Sequence, residues 1–248
     1  MVNFGLDGKT ALVTGAGRGL GKAIADGLAE AGAIVYGTSR DPQTAERIAQ
    51  RYGTQAVAVE MTDIPMVRDS VAEVLSHSGG IDLLVNNAGI NLPKPATEVT
   101  EQDWDAVLDT NLRGTFFLTT ELAKFWLTSS RPAAVVNVAS QSGLVAIEER
   151  AAYGTSKAAL IHLTKHLALE WAADGIRVNA VAPTFVRTEL TESTLGRPDW
   201  ARELQSRIPM GHFGEPDDIV GAVVFLLSEA AALITGHTIA IDGGYTIR

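Results

Sequence analysis

The sequence predicts a doubly wound α/β domain, in which one parallel sheet carries helices on both faces. Three observations carry this reading. Short β-rich apolar runs alternate with longer stretches of helical period along the whole chain. Those runs are nearly all apolar rather than alternating, as befits strands buried on both faces. A glycine-rich turn, Thr14-Gly-Ala-Gly-Arg-Gly-Leu-Gly21, follows the first of them and opens the first helix. With 248 residues, no Pro/Ser/Gly-rich linker and no internal repeat, the chain reads as a single domain over 1–248.

The elements follow in order. Thr10–Thr14 is a strand, and Gly21–Gly32 carries Ile24, Leu28 and Ala31 at helical spacing. Ala33–Ser39 is the second strand, followed by a helix around Thr44–Tyr52. Further strands are expected at Ala56–Glu60, Ile81–Asn86, Ala133–Ala139, Arg177–Val181 and His237–Ile241. Helices are expected near Pro65–His77, Glu101–Ser129, Tyr153–Ala173 and Asp217–Ser228. The stretch from Val181 to Asp217 breaks the alternation and is long for a connection inside a compact domain. Its apolar residues, Phe185, Val186, Leu190, Leu195 and Trp200, argue for a functional loop, with 189–213 as a lid over the substrate.

Composition narrows the function. Hydrophobic residues make up 46% of the chain and charged ones 20%, the balance of an ordinary globular protein rather than a disordered one. Cysteine is absent, which removes disulfide scaffolds, thiolate zinc sites and a cysteine nucleophile together. A net charge of −9 argues against nucleic acid and anionic lipid as partners. The N-terminus has neither a basic start nor an apolar segment, and the longest uncharged run, Pro132–Ile147, is too short to span a bilayer. A cytoplasmic protein with a small-molecule substrate is the expectation.

Three motifs carry chemistry. In the turn after the first strand, Gly15, Gly19 and Gly21 let the backbone bend sharply and approach a pyrophosphate at a helix N-terminus, the Rossmann-type device. Tyr153-Gly-Thr-Ser-Lys157 places a phenol and an ammonium one helical turn apart. A nearby cation favours the phenolate and makes the phenol a better proton carrier near neutral pH. Ser140 stands at the end of an apolar strand, where parallel sheets bind ligands. Each has a bland alternative: a tight turn, a solvated helix face, a capping serine. Together they are more specific. His162, His166 and Glu170 form a helical stripe that could suggest a metal, but packing or a subunit contact is the better reading, and no metal is expected. Glu148-Glu-Arg150 reads as a solvated charge run close enough to Tyr153 to line a pocket.

On these residues the sequence resembles the short-chain dehydrogenase/reductase family over essentially its whole length. Thr14, Gly15, Gly19 and Gly21 match TGxxxGxG, and Asn86-Asn-Ala-Gly89 matches NNAG. Asn111, Ser140, Tyr153 and Lys157 match the Asn–Ser–Tyr–Lys tetrad, and Ile241-Asp-Gly-Gly-Tyr245 is a typical ending. Two departures stand out: Thr184 where glycine is usual, and Glu60-Met61 where another acid–aliphatic pair normally frames the adenine. The resemblance implies hydride transfer between a nicotinamide cofactor and a secondary alcohol or ketone. Tyr153 would be the acid/base, Ser140 would orient the oxygen, Lys157 would lower the phenol's pKa and bind the ribose, and Asn111 would hold a relay water. It also implies cofactor contacts from Gly15, Arg18, Gly19, Leu20, Gly21, Ser39, Arg40, Met61, Thr62, Asp63, Asn87, Ala88, Gly89, Tyr153, Lys157, Pro183, Val186 and Thr188. Family members are commonly homotetramers.

Cofactor choice follows from the end of the second strand, where an acid would bind both ribose hydroxyls of NAD. By resemblance that place falls on Ser39, with Arg40 next to it and Arg18 in the glycine turn. A hydroxyl leaves room for a 2′-phosphate and a guanidinium can pair with it, so NADP(H) is expected, with NAD(H) as the alternative. A small free carbonyl, polyol, sugar or sugar acid is the expected substrate. A 3-oxoacyl group on acyl carrier protein is the alternative, disfavoured because Ala168–Gly175 is acidic. A cofactor-binding regulator without chemistry is a further alternative, though such chains usually lose Tyr or Lys. An epimerase or dehydratase would need a substrate domain that the length does not provide.

Overall fold

The structure, a computed structural model, describes residues 3–247. Its centre is a parallel sheet of seven strands: β1 (Thr10–Val13), β2 (Ile34–Ser39), β3 (Val57–Ala58), β4 (Leu83–Asn86), β5 (Ala133–Val138), β6 (Ile176–Pro183) and β7 (Thr238–Ile241), in the order β3-β2-β1-β4-β5-β6-β7. The order reverses between β1 and β4, so the connections leaving their C-terminal ends diverge and open a crevice there. Register brings Val13 beside Val85 and Asn86 beside Asn137, so the strand ends meet at one rim.

The uniformly apolar strands are explained by two cores. Successive side chains of β4 and β5 point to opposite faces. Leu83, Val85, Ala134 and Val136 pack with Ile24 and Leu28 of α1 (Gly19–Glu30) and Val223 and Leu226 of α9 (Asp217–Leu227). Leu84, Val135 and Val178 pack on the other face with α3 (Ile64–Ser78), α5 (Thr115–Ser129) and α6 (Ala151–Trp171), around Val71, Leu122, Trp126 and Trp171. The buried Trp126 indole donates to the Ile81 carbonyl at 2.7 Å, which satisfies its one polar atom.

A polar chain threads this second core. The Asn86 amide donates to Asn137 Oδ1 and to Thr119 Oγ1, both at 2.8 Å, and the Asn137 amide donates to Thr164 Oγ1 at 2.9 Å. Because buried polar groups are costly unless paired, this chain admits one register of β4 on β5 and one seating of α5 and α6. α6 carries Tyr153 and Lys157, so the network positions them relative to the rim.

Several elements differ from expectation. β3 is two residues rather than Ala56–Glu60: it is an edge strand bonded only to Thr38 and Ser39, after which the chain turns toward the crevice. The single helix expected over Glu101–Ser129 is α4 (Glu101–Leu108), a π turn at Asp109–Gly114, and α5. The wider turn places the Asn111 side chain on the Ile90 backbone and brings Gly114 against the Met61 carbonyl. The 189–213 stretch is partly helical, with α7 (Glu192–Leu195) and α8 (Pro198–Ser206). Leu204, Ile208 and Phe213 join Phe185 and Tyr245 in a separate cluster, with Leu195 and Trp200 packed against it, whereas Leu190 stays largely exposed. The remaining helix, α2 (Pro42–Tyr52), lies between β2 and β3.

Candidate active site

One cleft of about 800 Å³ runs along the rim from the end of β2 to the start of α6. Its floor is the glycine turn. Gly15 has φ +68, and a Cβ on Gly21 would collide with the Gly15 carbonyl oxygen, so both positions require glycine. Thr14 locks this turn to β4, a role the motif reading did not assign it. Its Oγ1 accepts from the backbone N–H of Asn87 and of Ala88, both at 2.9 Å, and the Asn87 amide donates to the Thr14 carbonyl at 2.9 Å.

The start of α1 differs from its neighbours. Asp41 caps α2, Asp63 caps α3 and Thr100 caps α4, each accepting from a first-turn N–H. Arg18 at the start of α1 makes no side-chain cap, which leaves those N–H groups for an anion in the cleft. Arg18, Gly19, Leu20 and Gly21 all line it.

At the β2 end, Ser39 closes the strand as expected, and Ser39, Arg40 and Asp41 line the cleft. Asp41 is committed to α2: its carboxylate accepts from Thr44 N at 2.9 Å, and the Thr44 hydroxyl and backbone hold it below the usual carboxylate range. The ribose end of the cleft therefore has no free carboxylate from β2. Arg18 and Arg40 make no ion pair with the described residues. Arg47, one turn beyond Thr44, also lines the cleft; its guanidinium bonds Thr44 Oγ1 at 2.7 Å. Helical spacing from Thr44 was the signal that could have found it.

Met61 and Thr62 line the adenine side, and Asn87, Ala88 and Gly89 the centre. Asp63 does not line the cleft; its carboxylate is turned to the Met66 N–H at 3.1 Å to cap α3. Pro183, Val186 and Thr188 line the far side, with Thr184, whose buried Oγ1 has no hydrogen-bond partner in the protein.

Ser140, Tyr153 and Lys157 converge on the same end. Burial pushes the Tyr153 phenol up, and the Ser140 hydroxyl beside it pulls it partway back. Lys157, 4% exposed, donates from Nζ to the Val138 carbonyl at 2.8 Å and stands 5.7 Å from the centre of the Tyr153 ring. Burial pushes its ammonium down to about 8. Lys157 stands over the Tyr153 ring, as the Tyr-x-x-x-Lys spacing predicts, and the Arg150 guanidinium also draws the phenol down. Asn111 is fully buried and does not line the cleft. Its Oδ1 accepts from Ile90 N at 2.8 Å, and its amide donates to Ile90 O at 2.9 Å and to Ser156 Oγ at 3.1 Å. It nonetheless borders Lys157: a Cβ on Gly89 would lie 3.0 Å from Asn111 Oδ1 and 3.5 Å from Lys157 Nζ.

One other reading changes. The run Glu148–Arg150 is not uniformly solvated, since Arg150 is buried. His162 and His166 are exposed with rings 4.8 Å apart, and among the described residues no group of three or more histidines and acids is placed to hold a metal. Nor is any helix of the described residues long and apolar enough to cross a membrane.

The comparisons agree with this geometry. Residues 15–246 match the family model described as enoyl-(acyl carrier protein) reductase. The chain is 41% identical to D-threitol dehydrogenase of Mycolicibacterium smegmatis, over 99% of this chain and 96% of that one. It is 36% identical to 2-dehydro-3-deoxy-D-gluconate 5-dehydrogenase of Dickeya dadantii, over 99% and 98%. A gluconate 5-dehydrogenase from Burkholderia cenocepacia, solved in complex with NADP and tartrate, superposes with a TM-score of 0.96 at 33% identity, covering 100% of this chain and 98% of that one. The chain belongs to the short-chain dehydrogenase/reductase family. It is an NAD(P)-dependent oxidoreductase that interconverts a secondary alcohol and a ketone.

Proposed function

We propose that this enzyme is an NADP(H)-preferring dehydrogenase/reductase of a small polyol, sugar or sugar acid. The observation that carries the reading is that one cleft joins an uncapped helix N-terminus, and a β2 end where Asp41 is committed to capping α2, to the Ser140–Tyr153–Lys157 cluster. The residues fit a dinucleotide: the glycine floor admits close approach, the first-turn N–H groups of α1 suit its pyrophosphate, and Ser39, Arg40 and Arg18 suit a 2′-phosphate. The unpartnered Thr184 hydroxyl offers a hydrogen bond at the nicotinamide end.

The cofactor, when bound, supplies or accepts the hydride. Tyr153 gives its proton to the carbonyl oxygen in reduction and takes it back in oxidation, while the Ser140 hydroxyl orients that oxygen. Lys157 would hold the ribose hydroxyls of the bound cofactor and, as the ammonium nearest the ring, would help return the proton to the phenol. Asn111 fixes Ile90 and Gly89 beside Lys157 and so keeps the floor of that end in place.

The segment 189–213 acts as the substrate cap: Glu189 and Leu190 face the cleft, while Leu204 and Ile208 anchor the rest. Exposed apolar side chains on α5 and α6, including Leu127 and the 82% exposed Leu169, support a homotetramer built on those helices. Light scattering should then report a mass near four chains.

The relatives' names support polyol and sugar-acid chemistry over a carrier-bound acyl group, and the exposed Glu170 at the end of α6 would repel an acidic carrier. The test is a panel of polyols, sugars, sugar acids and ketones assayed in both directions by nicotinamide absorbance. Turnover is expected with at least one polyol or sugar acid. Efficient reduction of carrier-linked acetoacetyl, with none of the panel turned over, would overturn it.

A further inference from the structure

The short loop that enters α6 holds the segment after β6 at three points, and the innermost is unusual. Arg150 is 6% exposed, and among the described residues no carboxylate stands within ion-pairing distance of its guanidinium. A charge buried without an ionic partner costs stability. Its place at the N-terminus of α6, where the helix dipole disfavours a cation, adds to that cost. Glu149 before it has φ +61, a left-handed conformation that non-glycine residues seldom adopt. Features that oppose stability in this way collect where function requires them.

The contacts show what the loop holds. Arg150 Nη2 donates to Thr194 Oγ1 at 2.7 Å, and Nη1 donates to the Glu149 carbonyl at 3.2 Å. The same carbonyl accepts from the Lys94 N–H at 3.2 Å, which ties the loop to the chain beyond β4. Thr194 is itself 3% exposed and lies in α7, three residues after Thr191. Glu189, Leu190 and Thr191 line the cleft. Two outer pairs join the same two stretches, Glu149–Arg197 at 2.9 Å and Glu148–Arg207 at 3.0 Å. Both are partly in solvent and contribute little. The Arg150–Thr194 bond is sealed and carries a charged donor, so it is the strong one. Further along, Leu204 and Ile208 hold the far part of the segment in their own apolar cluster. The near part, around α7, depends on the loop.

We propose that Arg150 is a positioning residue for the substrate cap: its buried bond to Thr194 latches α7 against the start of α6 and fixes the Glu189–Thr191 wall of the cleft. None of its hydrogen bonds reaches a residue that lines the cofactor end. The latch therefore sets how well substrate is held rather than how well the cofactor binds. Its cost in stability is the mark of a contact kept for that purpose.

The proposal rests on the reading of 189–213 as the substrate cap, and its first readout needs no turnover. R150M/T194V removes the charge and its acceptor together, so neither is left buried and unpaired. Were Arg150 there for stability, the thermal midpoint of this variant would drop; for a latch it should hold or rise. Trypsin should meanwhile cut after Arg202, which stands in solvent within the cap, about tenfold faster than in the wild type. In the reducing direction, KM for the best substrate of the panel should rise about five- to twentyfold, with kcat within about twofold and NADPH binding unchanged. E149Q, which weakens only an outer pair, should move cleavage and KM by about twofold or less. T194V carries the same expectations should the double variant not fold. Unmoved cleavage and KM would overturn the proposal. So would a lowered midpoint with trypsin cutting throughout the chain, the signature of packing alone. Faster cleavage at Arg202 with KM unmoved would instead overturn the reading of the segment as a substrate cap.

Discussion

At the β2 end of the cleft, Arg40, Asp41 and Arg47 stand in solvent, and the hydrogen bonds of Asp41 and Arg47 run to Thr44 in the first turn of α2. At the α6 end, Asn111, Lys157 and Arg150 are sealed at 0%, 4% and 6% exposure. The difference is one of dielectric. Charges in solvent are screened, so the β2 end can discriminate between ligands but cannot reshape proton affinities strongly. At the sealed end burial moves the phenol up and both cations down, and each group there works only because its neighbours hold it. Substitutions should therefore alter choice at one end and chemistry at the other.

The largest effect apart from Tyr153 itself is expected at Lys157. K157M should lower kcat by about 10³-fold, within the range for loss of a proton-relay group. It should also stabilise the cofactor-free protein at neutral pH. Because burial pushes Lys157 down to about 8, the unfolded chain binds the proton more readily between there and 10.5. Wild-type stability should then rise with pH across that window, and K157M should lose that rise while gaining about 3 kcal/mol at pH 7. Thermal unfolding against pH checks both signs.

The next effect lies at the β2 end. Replacing Ser39 with Asp and Arg40 with Gln supplies a ribose acceptor and removes a phosphate partner. The ratio of kcat/KM for NADPH over NADH should fall about 10- to 100-fold with kcat little changed. A change in kcat of that size would break the division between the two ends. Smaller still is Arg47, which lines the cleft with its guanidinium shared with Thr44. R47Q should raise KM for NADPH about two- to five-fold and leave NADH unaffected.

Much of this was legible in the sequence. A sheet covered on both faces makes every strand apolar, so β1, β2 and β5 stood out, whereas the two-residue β3 bonds one neighbour and could not be bounded. The glycine turn and Tyr153–Lys157 were readable because their requirements are local: a turn, a helical spacing. What escaped depends on partners distant along the chain. Asn111 was read as a tetrad residue but placed within one unbroken helix, and its bonds to Ile90 and Ser156 accompany the π turn that interrupts it. Asp63 looked like a cofactor ligand, but the start of α3 takes its carboxylate. Arg150 sat in what read as a surface charge run, because its partner Thr194 lies 44 residues away. The 189–213 stretch carried apolar residues without a period, and their cluster with Phe185 and Tyr245 forms only in the folded chain.

The central claim is that Tyr153 transfers the proton while the rest of the cleft binds the cofactor. Y153F, in which the phenyl ring keeps its packing, tests it most directly. NADPH binding, followed by its fluorescence, should match the wild type, while turnover on the best substrate of the panel falls by about 10³-fold or more. Near-normal turnover with intact NADPH binding would contradict the account and move the proton transfer to another group.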